Sequence, residues 1–216
     1  MATRQLSDQP QERGSDVPAR QRILDAAFSA FIERGYSETS TLEIATRAHV
    51  SKRALYALVG NKQDMLVACI SARATRLQAP ASLDEPHDRE SLARALTTFG
   101  SLLLRETTDA TVIAVFRLAI AEAVRAPEVA RVLDSVAREA GRGAMRQLLT
   151  QAQSSGLLSG QPAAMAEQFS GLLWGSLMIN LLLGVAEQPT PEEIARRAND
   201  VTAAFLRLYP PPASGS

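Results

Sequence analysis

The chain has 216 residues, and its 23 lysines and arginines are balanced by 23 aspartates and glutamates. That length allows one large or two small domains with a substantial core, and a net charge of zero means that affinity for a polyanion must come from a local patch. A single cysteine, Cys69, excludes an internal disulfide and, with only two histidines, leaves too few soft ligands for a structural zinc site; no metal or cofactor is expected, and a reducing cytoplasm fits best.

Residues 1–17 are polar, lack the apolar run of a secretory signal and read as a disordered arm. After Pro18, two sets at i, i+4, i+8 (Ile23, Ala27, Phe31 and Leu24, Phe28, Ile32) give one apolar face and predict a first helix ending at Gly35. Ser40 with Glu43 matches a capping box and opens a short second helix to about Ala48. His49, Val50 and Ser51 form a turn; Ser51 caps a third helix ending near Leu58. Asn61, with Asp64 three positions on, opens a fourth helix to about Leu77.

Residues 78–88 carry two prolines and read as a loop. Longer helices are expected near 89–105, 110–125, 127–155, 162–185 and 191–208, three of them with proline in the first turn. Gly141 and Gly143 are placed to bend the long middle helix, and residues 210–216 read as a disordered tail. Strand alternation is missing, so the fold class is all-α with about nine helices. Phe169–Ala186 has about the length of a membrane span, but Ser170, Ser176, Asn180 and three glycines interrupt it, so no membrane association is expected.

The segment 41–58 carries the functional signal. Ile44 and Ala45 on the second helix, Val50 at the end of the turn and Leu55 on the third are spaced as a helix-turn-helix requires. From Ile44 through Gln63 there are four basic side chains, Arg47, Lys52, Arg53 and Lys62, together with His49 and no acid. Lys52 and Arg53 stand in the first turn of their helix, where the macrodipole disfavours a cation by about 0.3–1 kcal/mol. A DNA phosphate or a guanine edge would offset that cost, because helix amides and cations then converge on one anion.

With these residues in place, the chain resembles the TetR family of regulators. Gly35-Tyr36, Thr39-Ser40, Ile44-Ala45, Ala48 through Ser51, Leu55-Tyr56, Lys62 and Met65-Leu66 match its N-terminal motif in order and spacing, over about residues 19–66. Three positions depart from it: His49 replaces the turn glycine, Leu58 a common histidine and Val59 a common phenylalanine. Leu58 thereby gives up one phosphate donor. The resemblance implies a three-helix DNA-binding domain over 18–66 and a larger helical effector-binding and dimerisation domain over 67–209. It implies phosphate contacts from Tyr56 and Lys62, and base contacts from Lys52, Arg53 and Ala54. Lysine and arginine bond guanine O6 and N7, and alanine packs on a thymine methyl. Ser40, Thr41 and Ser51, hydroxyls at helix N-termini, complete the expected DNA-facing set. Tyr56 as a buried aromatic with its hydroxyl at the rim is the alternative.

A three-helix reader makes few contacts alone, so two copies on a palindromic operator are expected. The dimer seam is expected on the last two helices, at Gly171, Trp174, Gly175 and Met178 and along the stripe Ile194, Val201 and Phe205. The run RLAIAE, Arg117 to Glu122, is similar to a segment that precedes the long middle helix in one TetR subgroup. Family members commonly hold a small-molecule effector among the middle helices and release DNA when it is bound. Phe99, Phe116, Met145, Trp174 and Met178 are candidates to line such a cavity, with Arg117 or Asn180 as polar handles. Cys69, among Met65, Leu66, Val67 and Ile70 without a neighbouring cation, reads as buried and unreactive.

Catalysis is not expected: no His-Glu-x-x-His, no phosphate-cradling glycine loop and no nucleophile–histidine–acid set is present. The composite reading is a homodimeric, ligand-responsive repressor. Its alternative is a helical effector-binding or scaffolding protein that has lost DNA binding, which the departures at His49 and Leu58 keep open.

Overall fold

A computed structural model of the chain describes residues 13–74 and 85–212. Among these residues all regular structure is helical. The elements are α1 (Arg13–Arg34), α2 (Thr41–Arg47), α3 (Lys52–Leu58), α4 (Lys62–Ala74), α5 (Arg89–Thr107) and α6 (Ala110–Ala121). There follow α7 (Pro127–Val132), a π-helical turn (Leu133–Arg138), α8 (Glu139–Ser154), α9 (Pro162–Trp174), α10 (Leu177–Leu183) and α11 (Pro191–Leu208).

Three expectations are corrected. Residues 13–17, assigned above to the arm, already belong to α1. The irregularity of the long middle helix is the π-helical turn at 133–138, upstream of Gly141 and Gly143, which both lie inside α8. The expected helix 162–185 breaks at Gly175, where φ is +45° and the Nη2 of Arg197 lies 2.8 Å from where a Cβ would stand. A side chain there would meet both a steric and a backbone penalty. The remainder of the arm, the expected end of the fourth helix, most of the 78–88 loop and residues 213–216 lie outside the described residues.

Apolar side chains gather in two clusters. The first unites Ile23, Ala27 and Phe31 of α1, Ile44, Ala45 and Leu55 of α2 and α3, and Met65, Leu66 and Cys69 of α4. It does not stop at the expected domain boundary after residue 66: Val115 and Leu118 of α6, Val129 of α7 and Leu133 belong to the same cluster. The second holds Leu92, Leu96 and Phe99 of α5, Met145 and Leu149 of α8, Phe169 and Leu173 of α9, and Ile194, Ala198 and Phe205 of α11. Phe169 and Phe205 meet edge to face with centroids 5.3 Å apart, an arrangement that favours the ring quadrupoles. No helix among the described residues is long and apolar enough to cross a membrane.

A second device joins the elements. Helix C-termini leave carbonyls without intrahelical donors, and cations there also meet the negative end of the macrodipole. Arginines from other helices serve them. Arg22 Nε donates to Ala48 O at 3.3 Å, and Arg117 Nε and Nη2 to Leu182 O and Leu181 O at 3.0 and 2.8 Å. Arg197 donates to Leu173 O and Trp174 O at 2.5 and 2.9 Å. Arg89 reaches Leu206 O in the last turn of α11, Tyr209 O just beyond it and Leu157 O after α8, at 2.6, 2.8 and 3.0 Å.

Candidate DNA-binding surface

The reader is built from local chemistry. Ser40 Oγ accepts from the Glu43 amide and Ser51 Oγ from the Ala54 amide, each at 3.1 Å, so α2 and α3 both start on a serine cap. The expected capping box at Ser40 is only half made. The Glu43 carboxylate turns instead to Arg47 at 2.8 Å and Arg34 at 3.1 Å. Asn61 and Asp64 do cap reciprocally: Asn61 Oδ1 accepts from the Asp64 amide at 3.1 Å and Asp64 Oδ2 from the Asn61 amide at 2.8 Å.

Between α2 and α3 the His49 amide donates to Thr46 O at 3.2 Å and the Val50 amide to Ala45 O at 3.0 Å, the paired bonds of a Schellman motif. That motif requires a left-handed residue, and His49 takes φ 54°. It is the non-glycine residue with positive φ among the described residues, at the position where the family motif has glycine. Ala45 and Ala48 let α2 approach its neighbours, while Ile44 and Leu55 are fully buried beneath the turn. Leu58 and Val59, the other two departures, pack against the first core.

On the outer face Lys52, Arg53 and Tyr56 are exposed and Ala54 is half-buried. Lys52 Nζ lies 5.9 Å from the centroid of the Tyr56 ring, and the Tyr56 hydroxyl lies 3.3 Å from Thr41 Oγ1. Tyr56 is thus a surface aromatic, 45% exposed, and the buried alternative is set aside. Neither Lys52 nor Arg53 has a carboxylate partner among the described residues. Ser40 and Thr41 thus stand at the N-terminus of α2 and Ser51, Lys52, Arg53 and Ala54 at that of α3, with Tyr56 reaching from α3 to Thr41.

Two basic residues of the segment leave this set. Arg47 donates to Glu33 at 2.7 Å and Glu43 at 2.8 Å, which raises its pKa, chiefly through the Glu33 hydrogen bond, and ties α2 to α1. Lys62, expected as a phosphate contact, points inward. Its Nζ donates to Tyr36 O, Thr39 O and Ser37 O at 2.9, 3.0 and 3.3 Å and lies 4.5 Å from the Tyr36 ring centroid. An ammonium has three N–H donors, and all are committed. The physical reason is the loop between α1 and α2, which aims three carbonyls at the start of α4, that of Tyr36 also accepting the Thr39 amide at 3.3 Å.

That loop has another anchor, absent from the expected site. Glu122, at the C-cap of α6, accepts the Ser37 amide at 3.1 Å and the Ser37 hydroxyl at 2.5 Å. Gly35 makes room for it: φ there is +91°, and a Cβ would lie 2.7 Å from Glu122 Oε1. Burial works to raise the Glu122 pKa, but the hydrogen bonds from Ser37 and Tyr36 and the charge of Arg125 together bring it below the ordinary value. In the sequence, the charged end of the RLAIAE run was its only signal.

The expected effector residues are divided between the two cores, with Trp174 packed against the second, that of Phe99 and Met145. Phe99 and Met145 are core side chains of the second cluster, Phe116 packs against the first, and Arg117 is spent on the end of α10. Trp174, Met178 and Asn180 are half-buried on α9 and α10. A groove of about 760 Å³ lies elsewhere, with Leu104, Leu172, Leu177 and Val201 at its walls and Glu193, Arg196 and Asp200 at its margin. The expected dimer stripe is also corrected. Ile194, Val201 and Phe205 face α5 inside the protomer and are 8%, 9% and 0% exposed, because α5 offers the complementary apolar face. Gly171 and Gly175 are exposed.

A two-helix reader with a cationic outer face, mounted on a larger helical body, defines a helix-turn-helix DNA-binding regulator. Residues 23–69 match the family model described as bacterial regulatory proteins of the tetR family, and residues 94–211 match that of the AefR-like transcriptional repressor C-terminal domain. The chain belongs to the TetR family of transcriptional regulators. It is 25% identical over 190 residues to the uncharacterized HTH-type transcriptional regulator YvkB of Bacillus subtilis, covering 88% of this chain and 96% of that one. Among solved structures, the flavonoid-responsive regulator FrrA superposes with a TM-score of 0.74 at 29% identity, over 90% of this chain and 98% of FrrA. A TetR regulator from Agrobacterium tumefaciens gives 0.74 at 28% identity, over 89% and 95%.

Proposed function

We propose that this TetR-family regulator is a homodimeric repressor that binds a palindromic operator in the cytoplasm and leaves it when a small-molecule effector binds. The observation that carries the reading is the pair Lys52 and Arg53. They are exposed at the start of α3 and without carboxylate partners among the described residues, although the neighbouring Arg34 and Arg47 are both ion-paired. In that position they reach base edges in the major groove, Ala54 meets a thymine methyl, and Tyr56, Thr41, Ser40 and Ser51 hold phosphates.

Dimerisation follows from the small size of the reader and the need for two half-sites. With Ile194, Val201 and Phe205 assigned to the protomer core, the seam falls on the outward faces of α9 and α10, where Gly171, Trp174, Gly175 and Met178 retain surface. Effector response is supported by the relative FrrA, whose name records a response to flavonoids. Repression is supported by the description of the matching C-terminal family.

Selection of bound fragments from genomic DNA by the purified protein tests this reading. The expected result is a small set of fragments sharing an inverted repeat. Recovery of no enriched fragment, the protein's own upstream region included, overturns it and favours a helical effector-binding protein without DNA function.

A further inference from the structure

Ser37 lies in the short loop joining α1 to α2, and its polar groups are shared between two different parts of the molecule. Its carbonyl accepts from Lys62 at the start of α4, at 3.3 Å, while its amide and hydroxyl both donate to Glu122 at the end of α6, at 3.1 and 2.5 Å. Glu122 is 85 residues away in sequence and only 6% exposed. A carboxylate so placed makes charge-assisted bonds, about twice as strong as neutral ones. Water has little access to replace them. The loop leads within three residues to Ser40, the cap of α2, and α2 carries α3 through the Schellman turn at His49. The same end of α6 is tied to the body as well, since Arg117, five residues before Glu122, donates to the carbonyls of Leu181 and Leu182 at the close of α10.

We infer that Glu122 is a positioning residue for operator binding: by gripping Ser37 it sets the pose of α2 and α3 relative to the body of the protein, without touching DNA. This rests on the DNA-binding reading above, but its mechanical part does not. Thr39, whose hydroxyl donates to Ala30 O at 3.1 Å and Gly35 O at 2.7 Å, and Lys62 hold the same loop from within the N-terminal half. Glu122 is the group through which α6 holds it from outside that half. With Glu122 removed, the loop stays folded on its own helices but loses its reference to α6.

The test uses the full-length protein, with Glu122→Gln, Ser37→Ala and the double variant. Hydrogen exchange in the free protein is read at residues 35–47, with α9 and α11 as internal controls, and affinity is read on a fragment recovered by the selection above. Each single variant is expected to speed exchange at 35–47 about tenfold while leaving α9 and α11 unchanged. Operator affinity is expected to fall about tenfold with no change in base preference or salt slope. The double variant is expected to be no worse than Glu122→Gln alone, since the hydroxyl bond that Ser37→Ala removes is one of the two that Glu122→Gln already strips of their charge. Additive losses, unchanged exchange at 35–47, or exchange rising equally in α9 and α11 would each overturn the inference. If the wild-type protein retains no fragment, the functional reading fails, and the exchange data still decide whether Glu122 fixes the reader.

Discussion

Lys62 donates to the Tyr36 carbonyl at 2.9 Å while its ammonium stands 4.5 Å from the centroid of the same residue's ring. One side chain thus meets both the backbone and the π face of Tyr36, which is 5% exposed. Hydrogen bonds from a charged donor contribute about 1.5–3 kcal/mol, and they are not additive when they share one nitrogen. Lys62→Met is expected to lower stability by about 2–3 kcal/mol, read by chemical denaturation. A lost phosphate contact would instead reduce the salt slope of DNA binding by about one, with stability unchanged. That second pattern would restore Lys62 to the DNA surface.

Lys52 and Arg53 lie at the N-terminus of α3 with no carboxylate to satisfy them. Arg53→Ala is expected to cost about 1–3 kcal/mol in operator affinity and to relax preference at one base position of each half-site. Gel-shift titration on single-base variants of the selected fragment measures both. If all base variants weaken in parallel, Arg53 holds phosphate.

His49 occupies a left-handed position at φ 54° that the family motif gives to glycine. Histidine tolerates that region better than most residues but still bears a cost that glycine does not. His49→Gly is therefore expected to raise stability by about 0.5–1 kcal/mol, and His49→Val, β-branched and ill suited to positive φ, to lower it by about 1–3 kcal/mol. Thermal melts of the two variants should move in opposite directions. A drop for the glycine variant would mean that the imidazole itself makes a contact worth more than the strain.

Glu122 is buried with its pKa held below the ordinary glutamate value. Burial pushes it up, but the Ser37 hydroxyl and amide, the Tyr36 amide and Arg125 outweigh that push. Such a group contributes stability in full above the unfolded glutamate pKa of about 4.3, and that contribution is lost as pH falls through the lower folded value. Stability of the wild type is therefore expected to fall more steeply than that of Glu122→Gln as pH drops below about 5. Denaturation curves collected from pH 7 down to pH 3 compare the two slopes; parallel slopes would show that other carboxylates carry the acid sensitivity.

How far the sequence foretold these features depended on the range of the interaction. The serine caps of α2 and α3, the reciprocal cap at Asn61 and the left-handed turn at His49 are set by neighbours within a few residues, and all were legible. The ionic partners were not. Glu33 removes Arg47 from the cationic face across fourteen residues, and Glu122 reaches Ser37 across eighty-five. Nor does a side chain that caps another helix leave a pattern, so the roles of Arg89, Arg117 and Arg197 emerge only once the helices are placed. The stripe on α11 was legible as apolar, but a protomer core and a dimer seam write the same period.

That last ambiguity yields the sharpest contrast between two substitutions on neighbouring helices. Phe205 is fully buried against Phe169 and the α5 side chains, so Phe205→Ala is expected to cost about 3–5 kcal/mol and to unfold the protomer at a lower denaturant concentration. Gly171 is exposed on α9, and a Cβ added there meets nothing within 4 Å. Gly171→Arg therefore has room within the protomer, and arginine is the better helix former by most of a kcal/mol. If the outward face of α9 is the dimer seam, that arginine places a charge in a close helix contact and leaves it unpaired, so it should yield a helical monomer by sedimentation that no longer binds the palindromic fragment. A Gly171→Arg protein that stays dimeric would move the seam off α9, whereas a Phe205→Ala protein that becomes monomeric at undiminished protomer stability would return the seam to the α11 stripe.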